Sequence, residues 1–414
     1  MGETLVFLGL LVFAAHFFSM IFSKKKVSDV LLLMIIGIII GPLLNLVSPS
    51  SFGSVGEVFT TITLVVILFE GALDISINDL QRSWKTTIRL TLINAVCTVV
   101  LSSILCLLFE LSMMSSLIIG CALIGTAAAV VIPMSNYLKL GNATKTALVL
   151  EAALSDVICI VSTLGLIDAA KLGEGLNIFK IAGNILASFV IATIIGVGSA
   201  LIWASLLEKV RKLRNSMFLT PAYLFFIYGV TELMGFSGAI AVLAFGITIT
   251  NMEYFHFKFI TRFQQNKEHL MLNAHEESFI SEIVFFLKTL FFVYIGLSIT
   301  FENLTSLIIG LSITFLLLVA RICVARNCSP KSANTFDKSI IGSMIPKGLA
   351  TAVLASIPAQ MGLPNGEMIK TIAFAVVFFS ILICSICVFL IENVSGVRSF
   401  FDLVFGNNNN KSKE

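Results

Sequence analysis

Charged side chains are scarce in this 414-residue chain: Asp, Glu, Lys and Arg make up 12% of it, against 57% hydrophobic residues and a mean hydropathy of +1.00. That balance excludes an ordinary soluble domain. The excess of positive charge is only +3 and the basic residues are dispersed, which argues against nucleic acid as a partner. Histidine is rare as well, at four residues. His256, His269 and His275 share one polar stretch, residues 252–277, yet His269 and His275 have no fitting third ligand. No resident metal or cofactor is expected. The eight cysteines fall mostly in apolar segments, where a thiol packs as a small hydrophobe, so a disulfide framework is not expected either. Cys384 and Cys387 are spaced as a CxxC, but the surrounding run Phe379-Ser-Ile-Leu-Ile-Cys384 lacks the soluble context that gives the motif redox meaning.

What the chain has in abundance is apolar length. About 20 such residues cross a bilayer core, and thirteen stretches qualify, at about 3–23, 28–47, 55–74, 86–110, 114–137, 144–168, 176–206, 217–234, 237–251, 277–301, 303–325, 336–361 and 366–392. The reading is an all-α polytopic membrane protein. The first stretch is expected to remain as a span, since no basic segment precedes it and Lys24, Lys25 and Lys26 follow. Alternate loops carry most of the Lys and Arg, including Lys24 to Lys26, Lys209 to Arg214, and Arg321, Arg326, Lys331 and Lys338. By the positive-inside rule the N-terminus lies outside and the C-terminus in the cytoplasm of a cell (inner) membrane protein. Lys288 and Lys347 fall within spans. Lys288 can snorkel from the cytoplasmic half of its span.

An internal repeat emerges from two ungapped matches. Glu57 to Gly71 parallels Glu282 to Gly296, and Gly125-Thr-Ala-Ala-Ala-Val130 parallels Gly348-Leu-Ala-Thr-Ala-Val353. Spans one to six then correspond to spans eight to thirteen. The halves enter from opposite sides, giving inverted-topology repeats. Residues 1–168 form the first six-helix repeat, 169–210 the connecting helix, 211–392 the second repeat and 393–414 a cytoplasmic polar tail. Spans five and twelve carry Gly125 and Pro133, and Pro346, Gly348 and Pro358, at equivalent places in the two halves. They are predicted to be broken helices crossing near mid-membrane, because irregular backbone at that depth survives only when buried in protein or lining a cavity.

The span at 144–168 carries two carboxylates, Glu151 and Asp156. An ionised side chain at mid-bilayer costs a few kcal/mol or more, so each needs a partner or a task. Five residues turn a helix by roughly 140°, so the two face different neighbours.

With Phe69-Glu70-Gly71-Ala-Leu73, Gly125-Thr126-Ala127, Glu151-Ala152-Ala-Leu-Ser155-Asp156, Phe285 to Gly296 and Pro346-Lys347-Gly348-Leu-Ala350 in this order, the chain resembles the monovalent cation:proton antiporter superfamily, and within it the NhaP-type sodium/proton exchangers. The resemblance covers about residues 3–392. It implies a transporter rather than an enzyme. Asp156 would bind cation and proton in turn, with Thr126 and Ser155 at the crossing and Glu70 as a further oxygen, while Glu151 would form a structural ion pair with Lys347. It also implies a homodimer in the lipid bilayer. Four positions depart from the family pattern: Ala127 stands for an acid, Ala152 for a hydroxyl residue, Ser155 for Asn and Lys347 for Arg.

The expected activity is electroneutral exchange of Na+ or K+ for H+ by alternating access, since one acid in the site titrates and Glu151 is paired. A thinner oxygen set compensates less for dehydration and would favour K+. Two other readings remain: a sodium-coupled carrier of an organic anion, which would need more cationic or amide groups than Lys347 alone, and a degenerate membrane sensor or structural subunit, suggested by Ala127 and Ala152.

Overall fold

The computed structural model describes residues 9–10, 13–17, 29–44, 46, 53–73, 77–171, 178–213, 216–252, 272–299 and 304–406. Lys24 to Lys26, His256, His269 and the end of the tail, residues 407–414, lie outside the described residues. Among the described residues the regular structure is entirely helical, and seven helices are long and apolar enough to cross a membrane. Shorter apolar helices accompany them. The chain separates into two compact units, one of Met1–Gly53, Ser83–Cys159 and Thr289–Glu414, the other of Ser54–Arg82 and Ile160–Lys288. Each unit draws on both halves of the sequence, so the units do not follow the repeat boundaries.

In the first unit, α1 (Asp29–Ile38) runs into a π-helical turn at Ile39–Leu43, and α3 (Ile77–Leu108) contributes most of its length. The helix labelled α2 (Gly53–Leu73) belongs to the second unit but for its first residue. Two further segments start as helices and stop in mid-course. The first is α4 (Met113–Ala122), resumed as α5 (Ala128–Tyr137) after residues 123–127. After α6 (Asn142–Lys171), α7 (Ile178–Val210), α8 (Leu219–Leu233), α9 (Gly238–Thr250), α10 (Ala274–Ser298) and α11 (Leu304–Cys328), the same interruption recurs. There α12 (Thr335–Ser343) resumes as α13 (Leu349–Gln360) after residues 344–348. The long α14 (Gly366–Asn393) follows.

Local chemistry accounts for where these pieces begin and end. Ser112 caps α4 by accepting from Ser115 N–H at 3.2 Å, and Asn334 caps α12 by accepting from Asp337 N–H at 2.7 Å. Pro346 removes an amide from the second interruption and disfavours helical geometry at Ile345. Gly348 enters α13 in an extended conformation. The first interruption has no proline and depends on partners from elsewhere in the unit. Both interruptions are buried along their whole length.

Small residues let the backbones of this unit approach closely. A methyl group on Gly37 of α1 would run into the backbone of Val293 and lie 2.8 Å from the Gly296 Cα, and one on Gly296 would run into the Met34 carbonyl. Gly310 of α11 meets Ala375 of α14 in the same way. The buried Asp337 of α12 accepts from the Thr144 hydroxyl at 2.9 Å and from Gly141 N–H at 3.4 Å, which ties α12 to the start of α6.

The segment 393–414, expected to be a polar tail, contains instead a packed helix, α15 (Ser395–Phe405). Val397, Phe401, Val404 and Phe405 recur at helical spacing and turn to the protein, while Phe400 and Leu403 are exposed. The Phe405 ring lies 3.5 Å from where a Cβ on Gly342 of α12 would sit, and the Arg398 guanidinium stands 6.0 Å from the centre of the Phe336 ring. Its polar composition hid this apolar stripe.

The second unit holds most of α2, the end of α6, α7, α8, α9 and the start of α10. Gly196 of α7 packs on the Ala241 carbonyl of α9, and Gly246 of α9 on Phe69 and Ala72 of α2. Aromatic rings fill the space between these helices. Trp203 stacks on Tyr223 at 4.3 Å, Tyr223 lies 5.9 Å from Phe245, and Phe245 5.7 Å from Phe69. Arg211 grips Glu276 through two hydrogen bonds of 3.0 and 2.7 Å.

Candidate cation site

Asp156 sits on α6 beside the first interruption, partly exposed. The interruption comes so close that a methyl group on Gly125 would lie 2.7 Å from Asp156 Oδ1. One residue earlier, Ser155 is buried and uses its hydroxyl twice. It accepts from Thr126 N–H at 3.0 Å and donates to the Ala152 carbonyl at 2.9 Å. Ser155 thus holds the irregular backbone against α6. The Ala127 N–H donates to the Pro346 carbonyl at 2.8 Å, so the two interruptions meet directly. Lys347 is 2% exposed; its backbone N–H donates to Ser380 Oγ at 2.9 Å, and its ammonium reaches the Ile124 carbonyl at 3.5 Å. That ammonium is also a charge that acts on Asp156. The crossing therefore brings together Thr126, Ser155, Asp156 and Lys347.

The expected partnership of Glu151 and Lys347 is not what forms. Glu151 is held by Arg321 of α11, with Nη1 on Oε1 and Nη2 on Oε2 at 2.6 Å. Both side chains are 1% exposed. Arg321 Nε donates to the Ile341 carbonyl at 3.0 Å, which fixes the plane of the guanidinium. A planar fork matches both oxygens of a carboxylate, a match that the point charge of a lysine cannot make. Lys347 feels both Arg321 and Glu151 electrostatically but turns to the interruption and Asp156.

By sequence Arg321 groups with the basic residues of a loop, since Arg326, Lys331 and Lys338 follow it. Its place inside the apolar run Leu316-Leu-Leu-Val-Ala-Arg321-Ile-Cys-Val324 was the available sign that it is buried. Glu70, the further oxygen candidate, is partly exposed on α2 and belongs to the second compact unit. His275 is exposed in the first turn of α10, and Lys288 lies further along that helix, partly exposed.

A helical membrane protein with a partly exposed acid where two interrupted helices meet has the architecture of many secondary transporters. The family profile described as "Sodium/hydrogen exchanger, transmembrane" matches residues 9–392, and the chain belongs to that family. Among its relatives, the K(+)/H(+) antiporter NhaP2 of Shewanella oneidensis is 24% identical over 340 residues, covering 80% of this chain and 56% of that protein. The Na(+)/H(+) antiporter 1 of Methanocaldococcus jannaschii is 30% identical over 160 residues, 38% of each chain. The chain thus spans about half or less of the length of these curated relatives. In structure, it resembles the sodium proton antiporter MjNhaP1 from Methanocaldococcus jannaschii, with a TM-score of 0.75, 20% identity, and coverage of 92% of this chain and 98% of that one.

Proposed function

We propose that this chain exchanges a monovalent cation, Na+ or K+, for H+ by alternating access, with Asp156 as the carboxylate that binds each in turn. The observation that supports this most is the division between the two acids of α6. Glu151 is fully engaged by Arg321, whereas Asp156 is partly exposed against an interruption whose backbone supplies polar groups at membrane depth. Competition of ion and proton for one carboxylate couples their fluxes. With one exchanging acid, the exchange is electroneutral.

Within this reading Thr126 lines the site and Ser155 holds the backbone in place. Glu70 is assigned a further oxygen on the ion's path. Lys347 balances the charge of Asp156 when no cation is bound. Membership of the family and the relatives named as K+/H+ and Na+/H+ antiporters support the same activity. On this reading the protein works in the cell membrane as a homodimer, with the N-terminus outside and the C-terminus in the cytoplasm.

The test is a pH-dye assay in proteoliposomes, with steps of Na+, K+ and Li+ on one side. Wild-type protein is expected to move protons against the added cation, and Asp156→Asn, folded to the same extent, to move none. Wild-type exchange by Asp156→Asn would overturn the assignment, and turnover that follows an imposed voltage would overturn electroneutrality.

A further inference from the structure

Asp156 is flanked on α6 by two side chains that both reach the interruption, Ser155 before it and Cys159 three residues on. Cys159 is wholly buried. Its thiol donates to the Ala122 carbonyl, the last of α4, at 3.3 Å, and a methyl group on Gly125 would lie 3.5 Å from its sulfur. Ser155 takes the next amide, that of Thr126. A carbonyl before Gly125 and the amide after it are therefore both held from α6. Held on both sides, Gly125 keeps its place against the carboxylate.

The same device occurs again 225 residues later. Ser380 accepts from Lys347 N–H and donates to the Val377 carbonyl at 3.0 Å, just as Ser155 accepts from Thr126 and donates to Ala152. Cys384 is fully buried at the equivalent position, while the Ile345 N–H in the second interruption donates to the Ser343 carbonyl at 2.9 Å. The two segments, Ser155-Asp-Val-Ile-Cys159 and Ser380-Ile-Leu-Ile-Cys384, share spacing, and their serines share bonding. They differ where it matters: the position of Asp156 is taken in the second by Ile381, which is fully buried. One segment frames an acid and the other frames a hydrocarbon.

We infer that Cys159 is a positioning residue for ion exchange, tying the end of α4 to α6 so that Gly125 lies against Asp156, and that Cys384, with Ile381 in place of an acid beside it, only packs. This rests on the reading of Asp156 as the exchange site.

The experiment compares Cys159→Ala, Cys159→Val, Cys159→Ser, Cys384→Ala and Asp156→Asn in the full chain, in proteoliposomes, with K+ and Na+ as the probes. Loss of the clamp at residue 159 is expected to raise the apparent KM for the cation roughly tenfold while kcat changes less than about threefold, in line with one hydrogen-bonding partner removed. Cys159→Ser, which keeps a donor and an acceptor, is expected to return KM to within about threefold of wild type. Cys384→Ala is expected to lower thermal stability as Cys159→Ala does, with KM unchanged. If Cys159→Ala does not fold, Cys159→Val, which keeps the volume, is read in its place. An unchanged KM in the 159 variants, or an equal rise in Cys384→Ala, overturns the inference while leaving Asp156 as the site. Wild-type exchange by Asp156→Asn removes the underlying reading and the inference with it.

Discussion

Arg321 and Glu151 stand 170 residues apart in the chain and meet as a two-pronged ion pair with each side chain 1% exposed. Such a pair is expensive to desolvate, and its value lies in what happens when one partner is lost. Either Glu151→Gln or Arg321→Met leaves a buried charge uncompensated, which costs about 3–5 kcal/mol. The double variant is expected to recover a large part of that loss, and adding Lys347→Met to Glu151→Gln to recover little. Thermal unfolding in detergent, arranged as a double-mutant cycle, measures the coupling. Rescue by Lys347→Met rather than Arg321→Met would reverse the assignment of partners.

Gly125 has no room for a side chain on the Asp156 side. A methyl group there would come within 2.7 Å of Oδ1, closer than real Cβ contacts. Gly125→Ala is expected to push the carboxylate from its place and lower exchange by about tenfold or more. Gly198→Ala and Gly229→Ala, where the added methyl meets nothing within 4 Å, serve as controls and retain exchange. Equal activity across all three variants would show that this close approach is without consequence.

Proton and cation compete for one carboxylate, so acidity raises the apparent KM for the cation. In the range where protons occupy the site, each pH unit of acidification is expected to raise it about tenfold, with the maximal rate preserved at saturating cation. Ala127 and Ala152 offer neither the carboxylate nor the hydroxyl of the family pattern, which leaves fewer oxygens to replace hydration. K+ is expected to be handled at least as well as Na+. Parallel dose–response series at several pH values decide both points, and a tenfold preference for Na+ would contradict the second.

The helix α15 rests on α12 through Phe405, against which the buried Phe401 ring stacks at 5.9 Å. Truncating either ring to alanine is expected to cost about 3–5 kcal/mol. Leu403→Ala, on the exposed side, is expected to change stability in detergent by less than about 0.5 kcal/mol. Thermal melts distinguish a docked helix from an appended one, since a docked helix makes the first two changes visible and the third not.

Much of this architecture was legible because bilayer physics leaves so few options. Apolar runs gave the helices to within a few residues at most ends, as with Leu219–Leu233 and Gly238–Thr250 for the expected 217–234 and 237–251. Gly125 marks the first interruption, and Pro346 with Gly348 the second. What could not be read was who pairs with whom. The choice between Arg321 and Lys347 for Glu151 depends on helices 170 and 196 residues away packing to within a hydrogen bond, and charge alone favours neither. The stripe of α15 was masked by Arg398, Asp402 and the serines around it. The thiol of Cys159 reads as filler because a cysteine in an apolar run carries no signature of the backbone group it will meet.

The bond from Ala127 N–H to the Pro346 carbonyl joins one interruption to the other, and Lys347 adds a second tie to Ile124. Together with the serine clamps and the Cys159 thiol, these ties leave the crossing little freedom to flex. Pulling it apart would strand several buried polar groups, each at about 1–3 kcal/mol. The ion's cradle is in this sense a rivet and not a hinge, so the movement that carries the ion must leave it whole.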